Sequence, residues 1–152
     1  MDSAKYKVES VKHKVVPVVQ NTSVLDRLRD HGVRPTRQRQ MLAKLLFGRG
    51  NRHVTADNLF QESKGLQTDI SRATVYNTLH QFTKVGLLRE ITVASGLSYF
   101  DTNLTAHHHF LFGEEGRLQD IPGDKIVFSS FPEAPDGADS SSISVTIRLQ
   151  NR

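Results

Sequence analysis

Residues 69 to 101 read DISRATVYNTLHQFTKVGLLREITVASGLSYFD, and the triplet His107, His108, His109 follows close behind. The first half of this stretch has a helical period. Val75, Leu79, Phe82 and Val85 fall on one face, behind a Ser71 cap and ahead of Gly86. The period then changes from helical to alternating. Leu88, Glu90 and Ile91-Thr92-Val93 lead into Ala94-Ser95-Gly96, and Leu97, Tyr99 and Phe100 return, which predicts two short strands joined by a glycine-containing turn. A capped amphipathic helix followed by a hairpin is the second half of a winged helix-turn-helix.

Three further helices precede it. Ser23 caps a short one with Val24, Leu25 and Leu28 inward and His31-Gly32 at its end. Thr36 caps the second, whose Met41, Leu42, Leu45 and Leu46 recur at helical spacing before Gly48. Thr55 caps the third, with Ala56, Leu59 and Phe60 inward and Gly65 near its end. Residues 1 to 22 hold neither period and carry Lys5, Lys7, Lys12 and Lys14 around scattered valines, so a mobile basic arm is expected there.

The helix from Ser71 to Gly86 leaves Arg72, Thr74, Tyr76, Asn77 and His80 outward, concentrated in its first two turns. That is the end of a recognition helix that enters the major groove. Arg and Asn pair bidentately with guanine and adenine, and Tyr and Thr meet thymine methyls or phosphates. Any amphipathic surface helix has a polar outer face, so charge has to break the tie. Residues 1 to 100 carry 16 Lys and Arg against 8 Asp and Glu, whereas residues 101 to 152 carry 4 against 8. A basic first part joined to an acidic second part favours a polyanion as the partner of the first. Arg34, Arg37 and Arg39 surround the start of the second helix, within reach of backbone phosphates. The DNA-binding candidates are therefore Arg34, Arg37, Ser71, Arg72, Thr74, Tyr76 and Asn77, with a double-stranded operator as the partner.

Beyond Asp101 a smaller unit follows. His107 to Phe112 and Arg117 to Ile121 read as strands around the turn Gly113-Glu114-Glu115-Gly116. Ile143, Val145, Ile147 and Leu149 alternate, so a strand is expected over Ser142 to Gln150. Three strands in some 50 residues do not bury a core alone, and a homodimer through this unit would complete one. His107 and His109 are two apart on a strand and share a face, while His108 points to the other. Two imidazoles on one face can chelate an ion with ligands from elsewhere, and a histidine-rich strand can also offer axial ligands to haem iron.

These residues resemble a known family. The runs Gly32-Val33-Arg34-Pro35-Thr36-Arg37-Gln38-Arg39, His53-Val54-Thr55-Ala56-Asp57-Asn58-Leu59, Ser71-Arg72-Ala73-Thr74-Val75-Tyr76-Asn77-Thr78-Leu79 and Gly86-Leu87-Leu88 look like the DNA-binding domain of the ferric uptake regulator family. Tyr99-Phe100-Asp101-Thr102-Asn103, leading to His107-His108-His109, is similar to the iron response regulator (Irr) branch of alpha-proteobacteria. The resemblance covers about residues 23 to 150. It implies a dimeric winged-helix regulator of iron and haem genes, active under iron limitation, with haem bound through His107, His108 and His109 and DNA released on haem contact. It also implies His53 and Asp101 as metal ligands beside His107 and His109, with Fe(II), Mn(II) or Zn(II) as the alternative effector. The family's Cys-x-x-Cys zinc positions are Phe112 and Glu115 here, and the chain has no cysteine at all, so neither a Cys-ligated zinc nor a Cys-Pro haem motif can form.

The expected fold is α+β. A winged helix-turn-helix domain spans residues 23–101, after the arm at 1–22, and a small α/β dimerisation and effector-sensing domain spans 102–152. No apolar run approaches the ~20 residues of a membrane span, and the N-terminus lacks an apolar signal core, so a cytoplasmic location is expected. An enzyme is the rival reading. His107-x-His109 followed by Glu114 matches part of a cupin metal motif, but such a barrel needs about eight strands and this chain has too few.

Overall fold

A computed structural model describes residues 23–137 and 143–150, so the expected arm at 1–22 and the serines 140–142 lie outside the described residues. Four helices come first: α1 (Val24–Asp30), α2 (Arg37–Phe47), α3 (Ala56–Gly65) and α4 (Arg72–Lys84). Each starts one residue after the cap that the sequence marks. The side-chain oxygens of Ser23, Thr36, Thr55 and Ser71 accept from the backbone N–H groups of Asp26, Arg39, Asn58 and Thr74, which satisfies a donor that the first turn leaves unpaired. Helix α4 ends where Gly86 takes a φ of 79° and the Leu87 N–H reaches back to the Phe82 carbonyl at 2.8 Å. An L side chain is strained at that angle, so glycine holds the stop.

Leu28, Leu42, Leu46, Leu59, Val75, Leu79, Phe82 and Leu87 are wholly buried among these helices. The inward face of α4 holds Thr78 as well, and Val85 is only partly buried.

The wing is larger than the sequence shows. Besides β2 (Arg89–Thr92) and β3 (Ser98–Asp101), the two residues His53 and Val54 form a strand, β1, and the sheet order is β1-β3-β2. A two-residue strand is too short to display alternation, so it hides in the sequence as the lead into α3. Its antiparallel register sets His53 opposite Asp101 and Val54 opposite Phe100. Arg52 secures this edge. Its backbone N–H donates to Thr102 Oγ1 at 2.8 Å, and its guanidinium donates to the Leu45 carbonyl and the Glu62 carboxylate, both at 3.0 Å.

The second unit is a sheet of order β5-β4-β6, from β4 (His107–Phe112), β5 (Arg117–Pro122) and β6 (Thr146–Leu149), with a 3-10 turn at Gly123–Lys125. Strand β6 is shorter than the expected 142 to 150 because its parallel pairing with β4 runs only from His109↔Thr146 to Phe112↔Leu149. Among the described residues no helix is long and apolar enough to cross a membrane.

The two units meet on β3. Tyr99 is 4% exposed and packs with Leu111 and Leu118 of the second sheet, flanked by Ile91 and Val93, and its hydroxyl donates to the Gly116 carbonyl at 2.6 Å. Replacing this tyrosine by phenylalanine keeps the packing and removes one hydrogen bond. Tyr99→Phe should therefore cost about 1 kcal/mol in urea unfolding of the metal-free protein, and an unchanged midpoint would mean that the bond contributes nothing.

Candidate metal centre and DNA-facing surface

Two sheet registers build one cluster. The β1–β3 pairing puts His53 against Asp101, and the β4–β5 pairing puts His109 against Asp120. Alternation along β4 then adds His107 on the same face as His109. One ligand atom from each of His53, Asp101, His107, His109 and Asp120 lies within 4.8 Å of all the others. The sequence reasoning named four of these five and missed Asp120. Asp101 and His109 are fully buried, His107 nearly so, and the side chains of His53 and Asp120 are 13% and 32% exposed.

The atoms converge on a common point rather than pairing off. Asp101 Oδ2 is 2.9 Å from His107 Nε2, 3.2 Å from His109 Nε2 and 3.4 Å from His53 Nε2. Asp120 Oδ1 is 2.9, 3.4 and 3.7 Å from His53, His107 and His109 Nε2 respectively. Yet His53 Nε2 and Asp120 Oδ1 are buried without an aligned hydrogen bond, despite their closeness. His107 Nε2 and His109 Nε2 stand 2.9 Å apart. The other nitrogen of His107, Nδ1, lies 2.7 Å from the Thr105 carbonyl, a pure acceptor, so it carries the ring proton of the neutral imidazole and leaves Nε2 bare.

A cation fits this arrangement. Donors each ~2.1 Å from one centre sit ~3.0 Å apart at right angles and ~3.4 Å apart at tetrahedral angles, and the separations above, from 2.9 to 3.7 Å, bracket those values. Three imidazoles and two carboxylates form a mixed nitrogen and oxygen set of the kind that suits Mn(II), Fe(II) and Zn(II).

His108 is not part of this group. It faces the other way, accepts from the Val145 N–H at 3.2 Å through Nδ1, and meets the Phe128 ring edge-on.

On the side expected to face DNA, a groove between the start of α2 and the outer face of α4 is lined by Thr36, Gln38, Arg39, Thr74, Asn77, Thr78 and Gln81. It brings together Thr74 and Asn77 from the expected contact set, and adds Arg39, whose guanidinium donates to the Arg34 carbonyl at 3.0 Å. Arg34 and Arg37 are exposed outside it. Tyr76 is 49% exposed and stacks on His80. Three of the expected contacts are already engaged. Ser71 Oγ is held in the helix cap, where it also meets the Thr74 hydroxyl at 2.9 Å, and Arg72 is paired with Asp57 while lying 4.5 Å over the Phe60 ring.

A winged helix with a polar recognition face, joined through a histidine and aspartate cluster to a second sheet, defines a DNA-binding regulator of the effector-sensing kind. The model of the ferric uptake regulator family matches residues 30–135, and the chain belongs to that family. It is 32% identical over 114 residues to the peroxide-responsive repressor PerR of Staphylococcus aureus (strain USA300), covering 75% of this chain and 72% of that protein. In fold it is similar to the Vibrio cholerae ferric uptake regulator, with a TM-score of 0.67 at 19% identity over 84% of this chain and 98% of that one. The ferric uptake regulator of Pseudomonas aeruginosa with manganese gives a TM-score of 0.62 at 22% identity, covering 86% of this chain and all of that one. These are regulators rather than enzymes, so the cupin-like alternative falls away.

The cluster has its own acid–base character. Burial of the Asp101 carboxyl opposes its ionisation, but the hydrogen bonds from His109, the contact with His53 and the Asn103 N–H outweigh it and hold this group well below the usual carboxylate range. Burial of the His53 ring works against its protonated form, but its contacts with Asp101 and Asp120 prevail and raise its pKa above the ordinary 6.5. A group whose pKa rises on folding adds stability below its unfolded value and loses it as pH climbs through the folded value. In chelator, the melting-temperature gap between wild type and His53→Gln should therefore be wide near about pH 5.5 and narrow near about pH 8. A gap that grows with pH would contradict this ionic picture.

Proposed function

We propose that this chain is a metal-dependent repressor of transcription, acting as a homodimer, in which a divalent cation held by His53, Asp101, His107, His109 and Asp120 sets the DNA-binding state. The observation that carries this reading is the origin of the five donors. His53 and Asp101 belong to the wing sheet of the DNA-binding unit, whereas His107, His109 and Asp120 belong to the second sheet. An ion bound there would tie the two units together, and linkage then requires that an ion favouring the DNA-binding arrangement is itself bound more tightly, by the same factor, in the presence of DNA. Mn(II), Fe(II) or Zn(II) supplies the positive charge that two facing carboxylates lack. The residues of the chain do the rest by orienting their lone pairs and excluding water.

The dimer draws support from the second unit. Val127, Phe128, Phe131, Ile143 and Ile147 are exposed large apolar side chains on and around that sheet, more than a small monomeric unit ordinarily leaves to water. On the DNA side, Tyr76 and Asn77 are exposed polar groups of α4 beside Thr74, whose hydroxyl meets Ser71 Oγ at 2.9 Å, and Arg34, Arg37 and Arg39 supply positive charge near them.

The haem reading of the Irr type gains less from the geometry. His107, His108 and His109 are 4%, 6% and 0% exposed, with two rings turned into the cluster and the third engaged with Val145. A porphyrin would have to open this sheet to reach an imidazole. A peroxide-responsive form of the metal reading follows from the similarity to PerR. In that form the metal-loaded protein would lose its DNA on exposure to hydrogen peroxide.

The decisive experiment selects duplexes from a random pool with the Mn(II)-loaded protein, then measures affinity for the winner by fluorescence anisotropy. Metal should tighten binding about tenfold or more, a coupling typical of allosteric effectors. The His107→Ala/His109→Ala protein should bind equally with and without metal, and Tyr76→Ala should weaken operator binding by ~1–3 kcal/mol without a change in melting temperature. A wild type indifferent to Mn(II), Fe(II) and Zn(II), but released by haem with a Soret shift, would replace the metal by haem as the effector.

A further inference from the structure

Between the wing and β4 the chain turns through residues 102 to 106, and Asn103 sits in this turn with its backbone N–H and both side-chain polar atoms in use. Its backbone N–H donates to Asp101 Oδ1 at 2.8 Å and its side-chain Nδ2 donates to Asp120 Oδ2 at 2.8 Å. Its Oδ1 accepts from the Thr105 N–H at 3.1 Å and the Thr105 hydroxyl at 2.7 Å. The oxygens it holds are the outer ones. The inner ones, Asp101 Oδ2 and Asp120 Oδ1, are those that face the three imidazoles.

We propose that Asn103 is a positioning residue of the metal centre, one amide pair clamping both carboxylates so that each presents a single oxygen to the ion. The proposal rests on the metal reading above and adds to it a determinant of metal choice. With its outer oxygen tied to an N–H donor, neither carboxylate can close on a cation through both oxygens. The donor set stays at three nitrogens and two oxygens, which suits a transition metal. Ca(II) takes six to eight oxygens, often with bidentate carboxylates, and is disfavoured. The clamp matters most for Asp120, whose side chain is 32% exposed and would otherwise rotate toward water. The same turn serves His107 too, because the Thr105 carbonyl that takes the Nδ1 proton follows directly from the bonds between Asn103 and Thr105. Outer partners of this sort are worth about 10–100-fold in metal affinity.

An ordinary turn-forming role for Asn103 predicts something different. Aspartate accepts from a backbone N–H two residues on as well as asparagine does, so Asn103→Asp keeps the turn but replaces the Nδ2 donor by an oxygen aimed at Asp120. The test measures Mn(II) and Co(II) affinity, the visible Co(II) spectrum and the metal-free melting temperature for wild type, Asn103→Asp and Asn103→Ala. The clamp predicts a 10–100-fold loss of affinity in both variants and a shifted Co(II) spectrum, with the metal-free melting of Asn103→Asp close to wild type. It also predicts slowed exchange of the Asn103 side-chain amide protons in the Zn(II)-loaded wild type, which tests the bond without any substitution. Wild-type affinity and spectrum in Asn103→Asp, or freely exchanging Asn103 amide protons, would overturn the clamp while leaving the metal centre intact. A wild type that binds no divalent metal would overturn both.

Discussion

Asp101 is a carboxylate with no surface open to solvent, and the junction between the two units is arranged to tolerate it. A buried anion costs several kcal/mol unless it is paired and hydrogen-bonded. Here the compensation comes from the Asn103 N–H and from the His53 and His109 imidazoles, drawn from two sheets. Asp120 brings a second carboxylate oxygen within 2.9 Å of His53. The cluster thus holds two acids and three bases in a space a few ångströms wide, and without a cation it relies on protons. A proton on His53, whose pKa the two carboxylates raise, balances part of the charge. A divalent ion balances all of it and meets every inward lone pair at once, which is why metal and proton compete for one junction.

The four helices were legible because helix caps are local. A serine or threonine just ahead of an apolar period declares its helix without help from the rest of the chain, and Ser23, Thr36, Thr55 and Ser71 did so. The wing hairpin was legible for a similar reason, through Gly96 and the alternation on either side. Strand β1 was not, because His53 and Val54 become a strand only when Asp101 and Phe100 arrive across a gap of nearly fifty residues. Asp120 went unseen for a related but avoidable reason. The hairpin turn at 113 to 116 was read correctly, and counting three residues back from Phe112 and three on from Arg117 sets His109 opposite Asp120. The haem expectation rested on the resemblance to the Irr branch and on a histidine-rich strand, and the burial of His107, His108 and His109 lends it no support.

The missing cysteines shift work to other contacts. Where a Cys-ligated zinc would brace the second sheet, Phe112 and Glu115 stand instead, and the hairpin turn is reached by the hydroxyl of Tyr99 through Gly116. The apolar contact of Tyr99 with Leu111 and Leu118 needs no metal. The two units are therefore already joined at one end of β3 before any ion arrives, and the cluster closes the other end.

That places an unusual demand on β3. A wing strand commonly has one face in water, yet Tyr99, Phe100 and Asp101 are 4%, 1% and 0% exposed. Alternation explains how all three can be buried. Tyr99 and Asp101 point toward the second unit, and Phe100 points into the helical core, where it also meets the edge of His80 on α4 at 5.7 Å. His80 in turn stacks on Tyr76, the exposed aromatic of the recognition face. A strand packed on both sides cannot shift toward one partner without disturbing the other, since interiors at this density have little slack. Drawing Asp101 toward the second sheet must therefore be felt by Phe100 in the helical layer, one residue away. The tip of the wing, from Ala94 to Leu97, is exposed and free of this constraint. The same short strand thus joins the rigid part of the DNA-binding unit to the cluster.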